Sequence, residues 1–138
     1  MASKPPTIID LAWTSGMQFA VSSASPNSAL TIDGDSRAGP SPVQTLAYAL
    51  ASCMASDIVH VLTKGRHAVS ALSARLVGHR AQEDPHRFLR VELHFTVGGA
   101  AAGDAIERAI ALSREKYCSV WHSMRTDIDF RVTFERAG

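Results

Sequence analysis

The sequence predicts an α+β domain in which antiparallel strands pack around one long central helix. Three observations carry this. Residues 39–64, GPSPVQTLAYALASCMASDIVHVLTK, are an apolar run with helical spacing and punctuation at both ends. Residues 88–97 alternate, with Leu89, Val91, Leu93, Phe95 and Val97 on one face and Arg90, Glu92, His94 and Thr96 on the other. Residues 127–135 alternate in the same way, Ile128, Phe130, Val132 and Phe134 opposing Asp127, Asp129, Arg131, Thr133 and Glu135. A chain of 138 residues is long enough for one domain with a real core, taken as residues 1–138.

The elements follow in order. Residues 7–13, 17–22 and 29–33 alternate weakly between the turn signals Ser15-Gly16 and Ser25-Pro26-Asn27-Ser28, as a three-stranded meander would. Residues 33–39 form a flexible polar loop. Pro40 and Pro42 suit the first helical positions, where a missing N–H costs nothing. Ser41 is the N-cap candidate, because its hydroxyl can accept an orphan backbone N–H. Leu46, Leu50, Cys53, Met54, Asp57 and Val61 define the apolar stripe. Lys64 suits the negative end of the helix dipole, and Gly65 suits the position just beyond it. Residues 69–79 and 88–97 make a hairpin through Glu83-Asp84-Pro85-His86. After the loop 98–103, Asp104 and Glu107 resemble a capping box, and Ile106, Ala109, Ile110, Ser113 and Tyr117 form an inner face. The helical pattern breaks at Tyr117-Cys118 before a short helix over 119–125. The predicted order is β-β-β-α-β-β-α-α-β.

Composition excludes several functions. Apolar residues make up 46% and charged residues 20%, with a formal net charge of +1. No basic run marks a nucleic-acid partner. The N-terminus lacks a signal-like apolar segment, and no stretch of membrane-spanning length is free of polar residues. The expected location is the cytoplasm, with no membrane partner. Two cysteines 65 positions apart form neither a disulfide framework nor a paired zinc knuckle. In a reducing compartment they serve packing, catalysis or redox chemistry.

The residue types leave alternatives open. Cys53 is either a small buried hydrophobe or a nucleophile, and reactivity requires a cation nearby. Cys118, at a helix start, is either a core cysteine or a thiol favoured by free N–H groups. Asp57, one turn beyond Cys53, needs a partner, since an unpaired buried charge is costly. It is either a structural acceptor or a general base. A tetrahedral zinc site assembled from Cys118 with His122 and Cys53 with His60 is the sharp alternative. The bland one makes both histidines satisfied core-edge residues. Trp13 and Trp121 read as core or interface aromatics, with a pocket role open for Trp121.

The run GPSPVQTLAYALASCMASDIVHVL, followed by EKYCSVWHSM, resembles the OsmC/Ohr family of thiol-dependent peroxide reductases. The resemblance covers the chain from about residue 34 to the C-terminus. It implies an intertwined homodimer that buries the central helices, no metal and no organic cofactor. It implies reduction of organic hydroperoxides, with Cys53 as peroxidatic and Cys118 as resolving cysteine and a dithiol as reductant. The family also uses a Glu nine residues before the first cysteine to hold an Arg over the thiolate. Gln44 stands at that position, and Arg37 is the candidate Arg. The alternative is a dimer of the same fold that binds a small molecule or a partner, with little or no peroxidase activity.

Overall fold

The computed structural model describes residues 4–21 and 30–137. The expected turn Ser25-Pro26-Asn27-Ser28 lies outside the described residues. The structure divides into two compact units, residues 1–46 and 47–138.

In the first unit, β1 (Leu11–Ser15), β2 (Gln18–Val21) and β3 (Thr31–Asp33) form an antiparallel meander in that order. The register pairs Trp13 with Phe19 and Phe19 with Ile32. Gly16 makes the first turn at φ +51°, a left-handed conformation that glycine adopts without a Cβ penalty. The Trp13 indole N–H closes that turn on the Gly16 carbonyl at 2.8 Å. The loop over residues 34–39, expected to be flexible, is tied down by one side chain. Asp33, buried, accepts backbone N–H bonds from Asp35 (2.9 Å), Arg37 (3.2 Å) and Ala38 (2.9 Å). These donors hold its carboxyl below the ordinary carboxylate range, Ala38 and Asp35 contributing most. Gly39 is required where it stands, because a Cβ there would collide with the Thr31 carbonyl oxygen.

The central helix, α1 (Pro42–Lys64), starts as the sequence predicts and adds a second bond. Gln44 N–H donates to Ser41 Oγ at 3.1 Å, and Ser41 N–H donates back to Gln44 Oε1 at 2.9 Å. This is a capping box with Gln in the third position.

In the second unit, the buried stripe of α1 is Leu50, Met54, Ile58 and Leu62. It keeps Leu50 and Met54 of the expected stripe and continues through Ile58 and Leu62, so Cys53, Asp57 and Val61 sit half-buried on its flank. By length and apolar composition alone α1 could cross a membrane. Here its stripe is core, clustered with Val91, Leu93, Phe95 and Val97 of the sheet and Ile106, Ala109 and Ile110 of the next helix. Burying such side chains stabilises a fold by about 1.5–3 kcal/mol each.

The second sheet has the order β4-β5-β6, from β4 (Ala71–Arg80), β5 (Phe88–Gly98) and β6 (Asp129–Ala137). The β4–β5 hairpin is antiparallel, as expected. The expectation of purely antiparallel sheets needs correction, because β6 runs parallel to β5, pairing Leu93 with Val132 and Phe95 with Phe134. The cause is the connection. Residues 99–128 carry a helical crossover back to the starting end of β5, which is what a parallel pair requires. That crossover contains α2 (Gly103–Leu112), a π-helical turn (Ser113–Tyr117) and α3 (Ser119–His122). Ala102 occupies the N-cap of α2 and no side chain caps it; Asp104 instead lies in the first turn. Ile106, Ala109, Ile110 and Ser113 face inward as predicted, whereas Tyr117 is 48% exposed. The π-turn widens the helical spacing after Ser113, which moves Tyr117 off the inner face.

Candidate thiol site

The site is built where α1 meets the crossover. Cys53 and Asp57 lie one turn apart on α1, an i, i+4 pair whose side chains lie on one face. Cys118 follows the π-turn. Its N–H donates to the Ser113 carbonyl at 2.8 Å, the wide-turn bond that ends the π segment. Cys118 is also the N-cap of α3, and its Sγ accepts the Trp121 N–H at 3.3 Å. It is fully buried, while Cys53 is half-buried; both are free thiols.

The π-turn delivers Cys118 to Cys53. A sulfur from each cysteine and a carboxylate oxygen of Asp57 all lie within 4.8 Å of one another. The cysteines are close enough to share a hydrogen bond. Burial pushes the Cys118 thiol up to about 11, the Trp121 N–H opposing this and the Cys53 contact adding to the rise. Asp57 finds its partner in Ser113, whose hydroxyl donates to Oδ2 at 2.7 Å. Ser113 is completely buried, so this bond satisfies two groups that would otherwise be costly. Asp57 also borders a cavity of about 550 Å³, lined further by His60, Val61, Lys64, Leu112 and Tyr117.

The histidines stand elsewhere. His122 is exposed, with Nε2 3.0 Å from the Arg114 carbonyl oxygen, and His60 is an exposed residue of α1. Among the described residues, the cluster of metal-ligating types at the cysteines contains Asp57 and no histidine. Trp121 packs on Phe130, with ring centroids 4.4 Å apart, and the Arg114 guanidinium lies 5.2 Å from the Phe130 centroid on the same ring. Trp121 is thus a core-edge aromatic, as its bland reading held.

Arg37 and Gln44 belong to the first unit. Arg37 is exposed, and its guanidinium makes no hydrogen bond or ion pair among the described residues. Gln44 Oε1 accepts from Ser41 N–H and, at 3.1 Å, from the Ser36 hydroxyl. Sequence reasoning missed Asp33 and Ser113. For Asp33 a signal was present, since Asp-Gly-Asp-Ser favours local side-chain-to-backbone bonds. For Ser113 the helical period gave its inward placement but not its partner, because the pairing with Asp57 joins residues 56 apart in sequence.

The family model for OsmC-like protein matches residues 33–133. The chain belongs to the OsmC-like family. Protein YhfA of Escherichia coli (strain K12) is 35% identical over 124 residues, covering 89% of this chain and 92% of YhfA. A hypothetical protein from Aquifex aeolicus VF5 has the same fold at TM-score 0.88 and 25% identity, with 97% of this chain and 98% of that one covered. An organic hydroperoxide resistance protein OsmC from Legionella pneumophila matches at TM-score 0.70 over 96% and 99% of the two chains, a likeness of fold at 18% identity. The match to the OsmC-like model spans Arg37, Gln44, Cys53, Asp57, Ser113 and Cys118.

Proposed function

We propose that this OsmC-like protein reduces organic hydroperoxides through Cys53 and Cys118, in defence against oxidative stress in the cytoplasm. The observation that carries the reading is the approach of the two sulfurs, within 4.8 Å although 65 residues apart in sequence. In the first step the Cys53 thiolate attacks one oxygen of the O–O bond. The bond breaks, the alkoxide leaves as an alcohol after taking a proton, and Cys53 becomes a sulfenic acid. The Cys118 sulfur then displaces hydroxide, giving a disulfide and water. An external dithiol opens the disulfide and is itself oxidised. Arg37 is the proposed stabiliser of the thiolate and Gln44 its neighbour in the same loop–helix junction. The working form is a homodimer of one-domain chains. The 68% exposure of Tyr48 and the 41% exposure of Val59 on α1 support it, because they leave apolar helix surface for a second copy to cover.

A thiol count tests this. Reduced protein given one equivalent of tert-butyl hydroperoxide should lose both free thiols per chain and regain them with dithiothreitol. Cys53→Ser should consume no peroxide, and Cys118→Ser should perform one turnover and then overoxidise. A parent protein that keeps both thiols sinks the reading. The alternative, a binding dimer without peroxidase activity, is favoured by one observation: Gln44 Oε1 is already shared between Ser41 and Ser36 and is not directed to a guanidinium.

A further inference from the structure

We propose that Cys53, Asp57 and Cys118 form a three-ligand site for a zinc-class divalent cation. Two sulfurs and one carboxylate oxygen converge within 4.8 Å of one another. Donors placed around a tetrahedral zinc, at about 2.3 Å for sulfur and 2.0–2.2 Å for oxygen, stand about 3.5–3.8 Å apart. A spread of no more than 4.8 Å leaves the three donors within a small adjustment of those separations. Two thiolates with one carboxylate select zinc over magnesium or calcium, which prefer all-oxygen shells.

The surroundings are those of a metal site. Ser113 donates to Asp57 Oδ2 at 2.7 Å, which fixes the carboxylate. The Trp121 N–H donates to Cys118 Sγ at 3.3 Å, a bond that a thiolate ligand strengthens. Two ligands come from one helix at i, i+4 spacing, so their separation is rigid. Asp57 also borders the cavity lined by Lys64 and Tyr117, which puts the carboxylate end of the cluster beside open space. Three protein ligands leave a fourth position for water or a small anion. Metal and disulfide then exclude each other, since an oxidised Cys53–Cys118 pair has no thiolate to offer.

The site holds or fails independently of the peroxidase reading, and the test reads binding alone. The reduced, metal-free, full-length protein is titrated with Co²⁺, followed by visible d–d absorption and ultraviolet sulfur-to-cobalt charge transfer, with Zn²⁺ then displacing the cobalt. The expected result is one tetrahedral Co²⁺ per chain, with charge transfer from two thiolates. Asp57→Asn should weaken binding by more than tenfold, and Ser113→Ala by about tenfold, without reducing the charge transfer at saturation. Cys53→Ser, on the half-buried flank of α1, serves if Asp57→Asn does not fold: it should lose half the charge-transfer intensity. No charge-transfer band in excess Co²⁺, parent affinity in Asp57→Asn, or a parent spectrum in Cys53→Ser would each overturn the proposal. A protein that fails this test and still loses thiols to hydroperoxide leaves the proposed peroxidase intact.

Discussion

The Ser113 hydroxyl holds Asp57 Oδ2 at 2.7 Å across 56 residues of sequence, joining the π-turn to the central helix beside both thiols. Ser113→Ala leaves the carboxylate without its donor and should destabilise the reduced protein by about 1–3 kcal/mol. Asp57→Ala should cost a similar amount. In the double variant the two losses should overlap, with a coupling of about 0.5–3 kcal/mol in urea unfolding. Strictly additive midpoint shifts would mean that the bond contributes nothing.

Burial pushes the Cys118 thiol up to about 11, so its thiolate population at neutral pH is about a hundredfold below that of an ordinary cysteine. Iodoacetamide should therefore label Cys53 first and Cys118 much later, as read by peptide mass spectrometry. A raised thiol value in the folded state also sets the sign of the alkaline response. Its stabilising contribution is complete below about 9 and is lost as the pH climbs to about 11. Cys118→Ala should flatten that decline.

Gln44 closes the capping box of α1 with Ser41. Gln44→Ala should destabilise by about 1 kcal/mol. Gln44→Glu keeps the box and adds a negative charge at the positive helix end, so its unfolding midpoint should be unchanged or higher. A carboxylate also pairs with a guanidinium in a charge-assisted, two-point contact that an amide cannot make. Stopped-flow oxidation by an alkyl hydroperoxide should accordingly be faster in Gln44→Glu. A rate equal to the parent's would argue that no Arg is there to be clamped, and the binding-dimer reading would lead.

Asp33 gathers three backbone N–H groups, and its carboxyl is held low by them. A lowered folded-state value means a contribution present above the unfolded carboxylate range and lost as the pH falls through the folded one. The amides of Asp35, Arg37 and Ala38 should lose hydrogen-exchange protection in acid before the β4–β5 hairpin does. Asp33→Asn should show the same loss at neutral pH. Protection that survives both changes would show that the loop is held by something else.

The exposed α1 residues Tyr48 and Val59 should lie in a dimer interface. Tyr48→Glu and Val59→Asp should shift sedimentation toward monomer and lower thermal stability in a concentration-dependent way. A parent protein that sediments as a folded monomer at all concentrations would remove the dimer.

The first helix and the alternating strands were legible because their signals are local. Pro42, Ser41 and Gly65 bracket α1, and residues 88–97 repeat with the period of a pleat. The two thiols were legible from the resemblance of the motifs around Cys53 and Cys118. What escaped depends on contacts between distant residues. The buried stripe of α1 is set by which neighbours cover it, so Cys53 and Asp57 fell on the flank and not at the centre. The direction of β6 depends on the length and path of residues 99–128, which carry no mark of parallel pairing. Histidines were paired with the cysteines on helical spacing alone, whereas the π-turn delivers Cys118 to the side of α1 that carries Cys53 and Asp57, and His60 and His122 stay exposed.

The parallel pairing of β6 with β5 also ties the crossover to the sheet at both of its ends. β4 and β5 are joined by a short turn and can zip as soon as both are made, because closing a small loop is fast. β6 is the last strand of the chain, and its partner lies on the far side of the whole crossover. Contacts of such long sequence separation are slow to close. Ser113 and Cys118 sit inside that crossover, pinned at one end by β5 and at the other by β6. A substitution that frees β6 from β5 should therefore also loosen the approach of Cys118 to Cys53, far from the strand itself.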